Sequence, residues 1–223
     1  MEQEIIHIPC GFRCYTKEEM IKRFGIQQAS LPFDYGFFTP RSIINFLESE
    51  TCEFNLHNTS PVTKNWSDQG LDFETTSYEK INDCVGYTNS GSVVPHFPGI
   101  GRYFHDARRA PGYYTLCKDY GFVMSNNIHP PWSKHYTTGL EQDFKNLTSI
   151  MSRRKIRLLR WMKSATTINL YMSPDRWNGS HEGQGFKFMK IDGTSSNIME
   201  DQHLLLDYVR LRFPDKQVNM TIL

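Results

Sequence analysis

Hydrophobic positions in this chain fall into two rhythms, and the rhythm changes from segment to segment. Glu4-Ile5-Ile6-His7-Ile8-Pro9 is a short β-rich run and predicts a first strand, followed by Gly11-Phe12-Arg13-Cys14 as a turn. Thr16 to Gly25 then predicts a helix. Thr16 and Glu19 have capping-box spacing, Met20, Ile21 and Phe24 form an apolar stripe, and Gly25 supplies the stop. Ser30 to Gly36 reads as a tight connection, and a second helix is expected from near Pro40 through Ile43, Ile44, Phe46 and Leu47.

The middle of the chain loses both rhythms. Residues 55–72 are polar and without a period, which predicts a functional loop or an insertion. Short β-like runs stand at Cys84–Tyr87 and Ser92–Pro95, and 98–135 is rich in Gly, Pro, Tyr and His with no clear spacing. The last third is periodic again. Leu140, Phe144, Leu147, Met151, Leu158 and Met162 share a helical stripe that runs to about Lys163. Thr166–Met172 predicts a strand, Ile198–Arg212 a helix carrying Leu205, Tyr208, Val209 and Leu211, and Gln217–Ile222 a final strand. Helix–strand–helix–strand with apolar strands points to crossover units on a parallel sheet. The expectation is one α/β domain over residues 1–223, three-layered and Rossmann-like with a mostly parallel sheet, interrupted by a loop-rich insertion at 55–135.

Composition narrows the function classes. Of 223 residues, 39% are hydrophobic and 13% aromatic, enough for a sizeable core and unlike a disordered chain. Basic and acidic residues nearly cancel, 25 against 24, so no global field favours nucleic acid or an anionic membrane. No apolar run approaches the roughly 18 residues a membrane span needs. The first residues lack a basic, then apolar, leader pattern. Five cysteines without repeated spacing fit a reducing compartment. Together these predict a cytoplasmic protein, in the host cytoplasm if the source is viral.

The candidate chemistry begins at Cys14, in the turn between the first strand and the first helix. The crevice at the carboxyl ends of strands is the usual ligand position in open α/β sheets. A thiol beside a helix N-terminus is pushed toward thiolate, and Arg13 next to it acts in the same direction. The alternative is a buried, inert thiol. His105-Asp106 is the second candidate, an imidazole among aromatics. The alternative there is a structural histidine, and adjacent residues on a strand point apart, which counts against Asp106 orienting His105. Arg153, Arg157 and Arg160 line one helix face with Arg154 beside them, either an anion site or a solvated face. Cys10-x3-Cys14 is not a zinc spacing, and neither a metal nor a cofactor is expected.

Four segments in this order resemble an uncharacterised family of papain-like cysteine peptidases found in bacteria and viruses. They are Gly11-Phe12-Arg13-Cys14, Pro32-Phe33-Asp34-Tyr35, Phe104-His105-Asp106 and the arginine-rich Arg153-Arg154-Lys155-Ile156-Arg157. Tyr35 stands where tryptophan is usual, and Pro9-Cys10 just before Gly11 is a second departure. The resemblance implies a thiol nucleophile at Cys14, His105 as its base, and a third group to orient the imidazole, for which Asp34 is the first choice. The periodicity predicts a parallel sheet, so peptidase chemistry is expected on a fold other than papain's.

Three functions follow as expectations. The leading one is a cysteine-dependent hydrolase or acyl-transfer enzyme acting on a peptide or small molecule. The second is a transferase using a phosphorylated or nucleotide-sugar donor, its diphosphate held by the Arg153–Arg157 face and His105-Asp106; the candidate anion-binding residues are Arg13, Arg153, Arg154 and Arg157. The third is a non-catalytic binding module. The oligomeric state is not fixed by the sequence.

Overall fold

The structure, a computed structural model, describes residues 4–11, 15–34, 36–67, 70–75, 77–78, 85–87, 93–95, 114–125, 140–173, 188–191 and 194–223. Strand β1 (Ile5–Pro9) leads into helix α1 (Tyr15–Phe24), a 3-10 turn (Pro32–Asp34) and helix α2 (Pro40–Glu48). Strands β2 (Thr59–Ser67), β3 (Gly70–Thr75), β4 (Val85–Tyr87), β5 (Val93–Pro95), β6 (Tyr114–Cys117) and β7 (Phe122–Ser125) follow. Helix α3 (Leu140–Ser164), strand β8 (Thr167–Met172), strands β9 (Phe188–Ile191) and β10 (Thr194–Asn197), helix α4 (Ile198–Arg212) and strand β11 (Gln217–Ile222) complete the order.

The expected crossover units are present. β1, β8 and β11 form a parallel sheet in the order β1-β8-β11. Its register explains the alternation along each strand. Ile6, Ile168 and Val218 stand level and are buried, whereas His7, Asn169 and Asn219 stand level on the opposite face and are half-buried. Parallel sheet does not dominate, however. A six-stranded sheet, β10-β9-β3-β2-β6-β7, is antiparallel except for the β3–β9 pair. The expected mostly parallel sheet therefore gives way, among the described strands, to a mixed α/β arrangement of a small parallel sheet and a larger, mainly antiparallel one.

The region expected as a loop-rich insertion supplies four strands of that second sheet, β2, β3, β6 and β7. β2 and β3 are a hairpin, Ser67 opposite Gly70, inside the stretch read as a loop. Their alternation is hidden by Pro61 in the first strand. Its missing N–H is tolerated because β3 pairs β2 only from Val62 onward, while Pro61 pairs Thr115 of β6 on the other side. One cluster of buried apolar side chains joins both sheets, including Ile6 and Ile8 of β1, Val62 of β2, Phe73 of β3 and Leu158 of α3.

Local chemistry accounts for the helix ends. α2 begins at the capping box of Thr39 and Ser42, with Pro40 in its first turn. α1 stops at Gly25, whose φ of 66° lies in the left-handed region, its N–H returning to the Ile21 carbonyl at 2.9 Å. The start of α1 differs from expectation. The helix begins at Tyr15, so Thr16 is inside its first turn rather than capping it, and Glu19 pairs with Arg23 at 2.8 Å. Of the expected stripe only Met20 is buried; Ile21 and Phe24 are exposed. In α4, Leu205 and Val209 are buried, while Leu211 lies outside the stripe at 82% exposure.

Candidate functional site

The carboxyl ends of β1 and β8 meet the first turn of α1 at Gly11. Cys10 continues the ladder, its N–H donating to the Tyr171 carbonyl at 2.6 Å. A Cβ on Gly11 would stand 2.8 Å from Thr16 Oγ1 and 3.1 Å from the Ser173 nitrogen. Only glycine lets the end of β1, the first turn of α1 and the residue after β8 approach this closely. The glycine of Gly11-x-x-Cys14 thus has a packing reason. Phe12, Arg13 and Cys14 lie outside the described residues, but they span the gap between Gly11 and Tyr15.

Asp34 is tied to the start of α1 through Lys17. It ends the 3-10 turn, where Pro32 and Phe33 are buried with it. Phe33 is held edge-on to Phe38 at 5.2 Å and to Phe46 at 5.6 Å, so the aromatic core fixes the turn. Asp34 itself is fully buried, and its Oδ2 accepts from both Lys17 Nζ and the Leu31 N–H, the latter at 3.1 Å. Its Oδ1 is buried without a hydrogen-bond partner, as is Thr16 Oγ1. An orphaned buried acceptor costs about 1–3 kcal/mol, more for a charged group. The first and second motif segments are therefore joined through Lys17, one helical turn beyond Cys14 in sequence.

A second tie holds the same turn. Arg157 of α3 donates to the Ser30 carbonyl at 2.8 Å, and its guanidinium lies 5.9 Å from the Trp161 ring centre. Ser30 precedes Leu31, whose N–H is one of the two donors to Asp34. Arg157 thus supports the Asp34 turn. Arg153 is exposed and reaches back to the Ser149 carbonyl at 3.4 Å, and Arg154 is half-buried. Lys155, buried within the apolar stripe, donates to the Ser49 carbonyl at the end of α2 and lies 4.7 Å from the Phe46 ring centre. Burial lowers its amine below the ordinary lysine range.

The three described thiols are all buried. Cys10 is fully buried, and burial pushes it far above the ordinary thiol range. Cys52 and Cys117 are also buried and raised, desolvation again the largest cause. None of these three has the electropositive, accessible setting of a nucleophile. His105, Asp106 and Tyr35 lie outside the described residues, and so does Arg13. Among the described residues no group of His, Cys, Asp and Glu could hold a metal ion.

Sequence reasoning missed Lys17, the packing of Thr16 against Gly11 and the structural role of Arg157. A lysine on a short amphipathic helix reads as solvated, and nothing local announces a partner seventeen positions on. The proximity of Gly11 to Ser173 is equally invisible until β1 and β8 are paired.

Comparison with models of known protein families, with curated proteins and with solved structures finds no match for this chain. Function therefore rests on the site's own geometry.

Proposed function

We propose that this chain is a cysteine-dependent hydrolase or acyl-transfer enzyme, acting on the carbonyl of a peptide or small molecule. Cys14 thiolate attacks the carbonyl carbon, and His105 takes the thiol proton and returns it to the leaving group. Backbone N–H groups at the start of α1 stabilise the oxyanion. The observation that carries this reading is the corner itself. Strand β1 ends and helix α1 begins at the carboxyl end of a parallel sheet, and Lys17 of that helix pairs with a fully buried carboxylate, Asp34, whose Oδ1 is unclaimed. Asp34 is assigned to orient His105 through Oδ1. Asp106 is secondary, because neighbouring residues in extended chain point apart. The reading takes the parallel sheet as one layer of a Rossmann-like domain with its crevice at this edge.

Free thiols at Cys10, Cys52 and Cys117 fit a cytoplasmic setting for such an enzyme. The transferase alternative is less well supported, since Arg157 is engaged by the Ser30 carbonyl and would have to leave it to bind a diphosphate. The test is hydrolysis of an activated-ester and peptide-amide panel by the wild type and by Cys14→Ser. Turnover in the wild type with complete loss in a folded Cys14→Ser variant is expected. Undiminished turnover in that variant ends the proposal.

A further inference from the structure

Edge strands carry unpaired backbone groups, and proteins usually guard them. The parallel sheet has two edges among the described residues, and β1 is the more fully guarded. On β1 the ladder bonds belong to Ile6, Ile8 and Cys10, so Ile5, His7 and Pro9 turn their backbone groups outward. Pro9 has no N–H to offer, and Gln28 Nε2 donates to the outward His7 carbonyl. In the larger sheet the outer side of β7 is likewise occupied, with Phe37 and Val123 exchanging backbone bonds at 2.7 and 3.1 Å.

β11 differs. Gln217 N–H donates to the Thr166 carbonyl at 3.0 Å and Leu223 N–H to the Met172 carbonyl at 2.9 Å. That phase directs Gln217, Asn219 and Thr221 toward β8, leaving Val218, Met220 and Ile222 with backbone groups facing out. No described strand lies beyond β11. Its sequence Gln-Val-Asn-Met-Thr-Ile contains neither charge nor proline. Arg210 Nη2, 3.3 Å from the Val218 carbonyl, takes one of its two lone pairs. Ile222 at the far end is 39% exposed.

We propose that β11 pairs with β11 of a second copy of this chain, antiparallel about a two-fold axis through Met220. The strand's self-complementarity selects this occupant. Antiparallel pairing centred on Met220 sets Met220 against its own copy and Val218 against Ile222 of the partner subunit, so the apolar face meets apolar. On the polar face Asn219 stands opposite Thr221 of the partner subunit, an uncharged pair able to share a hydrogen bond. All three outward residues in each copy then form ladder bonds, and no like charges oppose each other. The contact is isologous, so it closes as a dimer and does not propagate into a filament. It joins the two parallel sheets into one continuous sheet.

The test uses the full chain at tens of micromolar in light-scattering chromatography. The wild type is expected to be a dimer. Met220→Pro removes an outward N–H that takes no part in the β8–β11 ladder and is expected to yield a folded monomer. Met220→Cys, mildly oxidised, is expected to give a disulfide between two copies of the 220 peptide in mass spectrometry, which reads the register directly. A monomeric wild type overturns the proposal. So does a dimer whose Met220→Cys variant yields no such disulfide, whether or not Met220→Pro folds.

Discussion

A buried carboxylate can take several donors, and Asp34 receives two, both on Oδ2. Lys17 is the charged one, with its side chain 16% exposed against 0% for its partner. Removing one partner of a buried pair costs about 3–5 kcal/mol, because the other charge is left uncompensated. Lys17→Met is therefore expected to lose stability in that range in urea unfolding. Asp34→Asn should lose clearly less, since the amide oxygen still accepts from Leu31 and Lys17 can turn to water. Equal losses would show that the carboxylate charge does not matter. If Oδ1 orients an imidazole, Asp34→Asn also presents an N–H where an acceptor is required. Its kcat should then fall by about 100-fold or more with KM little changed. At this scale the sequence exposed the motif residues but not their connections. Gly11, Pro32, Phe33 and Asp34 stand out as residue types, whereas Lys17 does not, since its partner is set by how α1 packs.

Among the elements, α3 links the parts most directly. Its buried side carries Leu147, Met151, Leu158 and Met162, and its Arg157 anchors the turn that carries Asp34. A hydrogen bond from a charged donor contributes about 1.5–3 kcal/mol. Arg157→Ala should lower the unfolding free energy measured in urea by that amount, while Arg153→Ala and Arg160→Ala, on the exposed side, should stay within about 0.5 kcal/mol. Equal, small effects for all three would return Arg157 to the solvated face. The long helices were legible because their stripes repeat over several turns. α3 and α4 lie almost where the spacing puts them. The strands of the larger sheet were not. β6 is four residues long and buried at every position, so it shows no alternation. β2 carries Pro61 in a strand paired on both sides, where only the short reach of β3 permits it. The α1 capping box failed for another reason: the helix starts one residue early, which places Thr16 inside it.

For the whole molecule, the two sheets share one hydrophobic cluster, so neither buries its apolar face alone. No helix among the described residues is long and apolar enough to cross a membrane. Global stability should carry a signature of His7, which sits on the polar face of the parallel sheet with Nδ1 3.0 Å from the Tyr171 hydroxyl. Burial holds its imidazole below the ordinary histidine value. As pH falls the unfolded chain takes up the proton first, so the folded state loses stability once pH drops below about 6.5. His7→Gln should flatten that part of the stability–pH curve. An unchanged slope would assign the dependence to another histidine.

The central claim is that the β1–α1 turn presents a reactive thiol, and it is tested most directly by alkylation. Iodoacetamide labelling of the native chain across a pH series, read cysteine by cysteine in peptide mass spectrometry, distinguishes Cys14 from the buried Cys10, Cys52 and Cys117. Rapid labelling of Cys14 with an apparent pKa well below the roughly 8.5 of a free thiol is expected. Cys10, Cys52 and Cys117 should stay unlabelled until the chain unfolds. Labelling of Cys14 no faster than at those three would make it a core residue and remove the basis for a cysteine-dependent enzyme.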